Sequence, residues 1–201
     1  TQHYTPVSLK GVRKTDYPEV FSYQLPWWPW YNYLGEYYAR MSLAMAAGEH
    51  VNDILLLEPT TSAWMYYIRG ENKGGRRIGQ IAQPCQELVT ALEANQVEYD
   101  IASEAVMAAY GSAIGDKLRI NQRYYKTVIV PPTMENIEQT TFDFLKESVS
   151  RGGKLLLIGN GPSYLEGVEA KAEWDAFLAG ERVTRRPRPH LGRPPGLAAR
   201  A

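Results

Sequence analysis

The stretch TVIVPPTMENIEQTTFDFLKESVSRGGKLLLIG, residues 127–159, decides the fold. It opens on the continuous apolar run Thr127-Val128-Ile129-Val130 and closes on Lys154-Leu155-Leu156-Leu157-Ile158. Runs without polar alternation mark strands buried on both faces. Between them, residues 137–150 carry Ile137, Thr141, Phe144, Leu145 and Val149 at helical spacing. Pro131-Pro132 stops the first run and Gly152-Gly153 stops the helix. A strand, a helix and a second strand in this order imply parallel pairing through a right-handed crossover.

The pattern repeats outward from this unit. Ile54-Leu55-Leu56-Leu57 is another buried run, and Val97–Ile101 reads as a further strand. Residues 80–94 read as a helix with Ile81, Cys85, Leu88, Val89 and Leu92 on one face, and 103–110 as a short one. Lys117–Ile120 and the residues from Arg123 read as a hairpin around Asn121-Gln122, its second arm continuing into 127–130. Gly159-Asn160-Gly161-Pro162 turns the chain before a last helix at about 170–179. Residues 29–47 form an aromatic-rich helical pattern, with Pro29 at its start and Gly48 just past its end. Residues 58–79 read as a long connection bearing Arg69, Lys73, Arg76 and Arg77. The fold class expected is α/β, a doubly wound and mostly parallel sheet of flavodoxin-like type with helices on both faces.

Composition narrows the function classes. Lys+Arg and Asp+Glu both number 22, so the balanced charge gives no reason to expect nucleic acid or an anionic membrane as partner. No apolar run approaches the length of a membrane span. The single cysteine, Cys85, allows no internal disulfide, which leaves export open. The chain starts at Thr1 without Met, the expectation for a processed or excised piece. Among 14 Tyr and 5 Trp, many crowd around Trp27, Trp28 and Trp30. Such aromatics fill cores and interfaces, and they also stack on sugar rings. From about Glu181, arginines interleave with Pro187, Pro189, Pro194 and Pro195, a composition expected of a linker or an appended tail over 181–201.

The chemistry-bearing residues are sparse. Cys85 sits on the apolar face of a helix rather than on a tight strand-to-helix turn, the environment of an inert thiol. His3, His50 and His190 are scattered without ligand partners at metal spacing, so no metal site is expected. Gly159-Asn160-Gly161 lacks the third glycine of a dinucleotide loop, and no cofactor is expected. Glu58, Thr60 and Thr61 after one strand, Thr133 after another, and Asn160 after a third would line the crevice at the carboxyl edge of a doubly wound sheet. Asp16 and Glu19 lie beside Arg13 and Lys14, which favours the charged carboxylate and suits hydrogen bonding better than a general acid. A pair of catalytic carboxylates is not evident, so no catalytic residue is assigned.

The run Ser8-Leu9-Lys10-Gly11-Val12-Arg13-Lys14-Thr15-Asp16-Tyr17-Pro18, with Gln24-Leu25-Pro26-Trp27-Trp28, resembles a segment of large bacterial glycoside hydrolases, the α-L-rhamnosidase-like enzymes of family 106 and their relatives. The resemblance continues through Gly48-Glu49-His50-Val51-Asn52-Asp53 and Glu58-Pro59-Thr60-Thr61-Ser62-Ala63-Trp64 and covers about residues 1–168. It implies a catalytic barrel followed by a class I glutamine amidotransferase-like domain without the amidotransferase cysteine chemistry. Residues 1–28 would then end the barrel or link to it, residues 29–180 would form the α/β domain, and residues 181–201 depart from the family. The resemblance further implies that His3, Arg13, Lys14, Asp16, Tyr23, Trp27 and Trp28 contribute to a carbohydrate pocket in the whole enzyme. The implied partners are the barrel of the same polypeptide, a carbohydrate substrate and a second copy in a homo-oligomer. The alternative from the residues alone is a free-standing small-molecule binding module using the crevice.

Overall fold

The computed structural model describes Tyr23 and residues 26–69, 72–179 and 183–187. The chain divides into two compact units, Thr1–His50 and Val51–Ala201. In the first unit a 3-10 turn at Trp28–Trp30 leads into helix α1, Tyr31–Ala46, with Pro29 at the entry and Gly48 in a left-handed conformation (φ +87°) past the end. Trp28 stacks on Tyr31 at 5.7 Å, and no residue of α1 is buried.

The second unit is built on a five-stranded, all-parallel sheet. Its strands are β1 (Ile54–Leu57), β2 (Asp100–Ala102), β6 (Thr127–Val130), β8 (Lys154–Ile158) and β11 (Val183–Arg186), in the spatial order β11-β8-β6-β1-β2. Leu55, Val128 and Leu155 stand in register across the three central strands. Side chains alternate between faces along a strand. Leu55, Leu57, Val128, Val130, Leu155 and Leu157 therefore join one core layer, and Leu56, Ile129 and Ile158 the other. Two apolar layers on one sheet explain why these runs contain no polar alternation.

Helices cover both layers. Helix α3 (Asn72–Ala94) lays Leu88, Val89 and Leu92 on the second layer. Pro84 within it supplies no N–H to the helical ladder. On the first layer lie α4 (Glu104–Tyr110), α5 (Gln139–Ser150) and α6 (Lys171–Leu178), through Met107, Phe142, Leu145, Trp174 and Leu178. Phe142, Trp174 and Phe177 form an aromatic cluster with ring centroids 5.4–5.6 Å apart. Gly161 (φ +72°) passes so close that a Cβ there would stand 2.5 Å from the Trp174 indole nitrogen.

Several expectations need correction. The connection at 58–79 holds the short helix α2 (Thr60–Trp64) and the first turns of α3. The expected strand at 97–101 is Asp100–Ala102. The hairpin arm does not run on into 127–130: β5 (Arg123–Tyr125) ends at Lys126 and belongs to a separate antiparallel sheet with β3 (Gly111–Ile114) and β4 (Lys117–Ile120). Ile137 is not helical but lies in β7 (Asn136–Ile137), which pairs with β9 (Tyr164–Leu165), itself paired with β10 (Val168–Glu169). The buried face of α5 is Thr141, Phe142, Leu145 and Ser148, with Phe144 only partly covered. Val183–Arg186, expected to be part of a linker, is an edge strand, where cationic side chains are tolerated because only one side of the backbone pairs.

Candidate functional site: the carboxyl edge of the central sheet

All five strands of the central sheet are parallel, so their carboxyl ends lie along one edge. Ligands of open α/β sheets bind at such edges. After β1, the chain enters α2 at once, and Thr61 and Ser62 are buried. The Thr61 hydroxyl donates to the carboxylate of Glu104, the first residue of α4 after β2. Glu104 also accepts from the backbone N–H of Glu138, which precedes α5. Ser62 Oγ accepts from the N–H groups of Glu135 and Asn136, both at 2.9 Å, and donates to the Asn136 carbonyl at 3.3 Å. These groups tie α2, α4 and the start of α5 together and leave this part of the crevice closed. Burial raises the Glu104 carboxyl above its usual range, against the lowering effect of its hydrogen bonds.

Beside it the edge is open. A groove of about 1070 Å³ runs past the ends of β6, β8 and β11. Its floor is Pro132-Thr133-Met134 after β6 and Gly159-Asn160-Gly161 after β8. Thr133 adopts φ +67°, an outlier for a β-branched residue, and its hydroxyl donates to the Ile81 carbonyl at 3.0 Å and to that of Pro132. One wall is a trio. The Tyr66 hydroxyl donates to Glu135 at 2.6 Å, Arg77 of α3 pairs with the same carboxylate, and the Arg77 guanidinium lies over the Tyr66 ring, 5.2 Å from its centroid. The hydrogen bond to Glu135, then burial, holds the Tyr66 phenol above its ordinary value. Lys171 at the start of α6 and Arg185 and Arg186 at the end of β11 complete the rim, with Glu169.

Of the residues expected in the crevice, Thr133 and Asn160 line this groove. Thr61 is a buried structural group, Thr60 opens α2 and is half-buried, and Glu58 is exposed. Tyr23, Trp27 and Trp28 belong to the first unit and are exposed, Tyr23 by 76%. His3, Arg13, Lys14 and Asp16 lie outside the described residues. Arg77, Arg185 and Arg186 appear in sequence only as cations of a connection and a tail, Tyr66 falls in the Glu58–Tyr67 stretch of the resemblance without an assigned role, and Glu135 and Lys171 stand in no motif. Their convergence depends on crossovers that no local spacing records.

Cys85 is half-buried in α3, and burial, reinforced by the negative charge of Glu58, pushes its thiol up to about 11. A thiol held there is a poor nucleophile at neutral pH. Among the described residues no cluster of three or more His, Cys, Asp or Glu side chains is placed to hold a metal ion, and no helix is long and apolar enough to cross a membrane. Comparison with protein families, with characterised proteins and with solved structures finds no match.

Proposed function

We propose that the second unit is a doubly wound, flavodoxin-like domain of the class I glutamine amidotransferase-like type. In this reading it serves as a non-catalytic accessory domain of a bacterial glycoside hydrolase similar to the α-L-rhamnosidases. It supports the catalytic barrel of the same polypeptide and a homo-oligomeric assembly. The strand order, counted by appearance in the central sheet, is 2-1-3-4-5, which favours the flavodoxin-like type. The observation that carries the non-catalytic role is the closed end of the crevice. Thr61, Ser62 and Glu104 are buried, Thr61 bound to Glu104 and Ser62 to the backbone of Glu135 and Asn136, so no hydroxyl and base there are open to a substrate. The exposed aromatic residues of 27–38 favour an interface role for the first unit.

The test is turnover of aryl α-L-rhamnosides by the 201-residue chain and by a polypeptide extended upstream with a barrel. The expected result is none from the chain and hydrolysis from the longer protein. Hydrolysis by the chain alone would overturn the reading.

A further inference from the structure

We infer that the groove past β6, β8 and β11 is a binding site for a small ligand carrying an oxyanion, a carboxylate or a phosphate, on a hydroxylated body. The first reason is charge. Four cationic side chains, Arg77, Lys171, Arg185 and Arg186, line the groove against two acidic ones, Glu135 and Glu169, in a chain whose formal charge is zero. Two of the four are already committed: Arg77 to Glu135, and Lys171 to Asp175 at 3.2 Å. Arg185 and Arg186 have no carboxylate partner among the described residues and stand exposed at the end of an edge strand. Arginine presents a planar fork of donors that matches carboxylate and phosphate geometry.

The second reason is backbone arrangement. Helix α6 begins on the groove at Lys171 and no side chain caps its first amides, so its positive end adds to the field there, offset in part by Glu173 in the first turn. Thr133, held at φ +67° with its hydroxyl bonded to the Ile81 carbonyl, gives the floor a conformation that β-branched residues rarely adopt. Strain of this kind persists where the surroundings over-determine it, and it clusters at ligand sites. Asn160 and Ser163 offer neutral hydrogen-bonding groups for the body of the ligand, and Tyr66 and Tyr164 bring aromatic rings to the walls. The inference does not depend on the hydrolase reading, since a chain that turns over no glycoside can still bind.

Titration calorimetry on the full 201-residue chain at low salt tests it, with inorganic phosphate, glucose 6-phosphate, glucuronate and glucose as probes. The expected result is saturable binding of glucose 6-phosphate or glucuronate, weakened at least tenfold in R185Q/R186Q and by raised salt, with no heat from glucose. Preference for glucose 6-phosphate together with inorganic phosphate assigns a phosphate site; preference for glucuronate assigns a carboxylate site. Absence of saturable binding by all three anions, or binding undiminished in R185Q/R186Q, overturns the inference.

Discussion

The loops after β1 and β2 and the groove past the ends of β6, β8 and β11 share one edge of one sheet, and both carry hydroxyl and charged side chains. In the first region Thr61, Ser62 and Glu104 are buried, and each has a hydrogen-bond partner in a neighbouring element. In the second, Glu135 and Arg77 remain partly exposed, Arg185 and Arg186 are exposed, and an open groove separates the walls. A polar group buried in a packed edge must be satisfied internally, and removing its partner leaves a desolvated donor. A polar group on an open groove exchanges its partner for water at little loss. The same residue types thus act as fasteners at one end of the edge and as recognition groups at the other.

Breaking the closed end should have the largest effect. Glu104→Ala leaves the Thr61 hydroxyl and the Glu138 N–H without their acceptor, and we expect a loss of about 3 kcal/mol in urea unfolding. A loss below about 1 kcal/mol would show that water reaches this cluster. Glu104→Gln keeps an acceptor and should cost less. It also isolates a pH effect. The folded carboxyl is raised, so between its unfolded value and its folded value the native state binds more protons than the unfolded state. The stabilising contribution is therefore complete below the unfolded value and is lost as pH rises through the folded one. Stability measured against pH should decline across that window in the natural chain and be flatter in Glu104→Gln; parallel curves would refute the assignment.

Ser62→Ala comes next, at about 2 kcal/mol, because it strands the N–H groups of Glu135 and Asn136. Its counterpart on the groove is Tyr66→Phe. That change removes one bond to Glu135, whose carboxylate keeps Arg77 and faces solvent in part. A loss of about 0.5–1 kcal/mol is expected, after discounting for screening at a partly exposed site. Equal losses from the two substitutions would erase the distinction between the closed and open ends.

Much of this fold is legible in the sequence because the central strands are continuous apolar runs, and two core layers require that. The helix after β6 is legible in kind but not in phase. Anchoring its stripe on Ile137, a strand residue, rotates the expected face toward Phe144, whereas Phe142 is the side chain packed against Trp174. Strands β7, β9 and β10 are two residues each and leave no periodic trace. Strand β11 is hidden for another reason: Val-Thr-Arg-Arg pairs through its backbone along one side, and no apolar alternation is needed there. The site is less legible than the fold. Thr61 and Glu104 are 43 residues apart, Tyr66 and Glu135 are 69 apart, and only the crossovers of the sheet join them.

The smallest effect is expected where recognition is proposed. Arg185 and Arg186 are exposed on an edge strand whose backbone supplies the pairing with β8, in register from Val183 with Leu155 to Arg186 with Ile158. Neither side chain contributes to the core, and surface charges of this kind change stability by no more than about 0.5 kcal/mol. R185Q/R186Q should therefore unfold at the same urea concentration as the natural chain, with the same slope. A lower midpoint would mean that the two guanidinium groups fasten β11 to the sheet, and the groove would then differ from the closed end in exposure but not in kind.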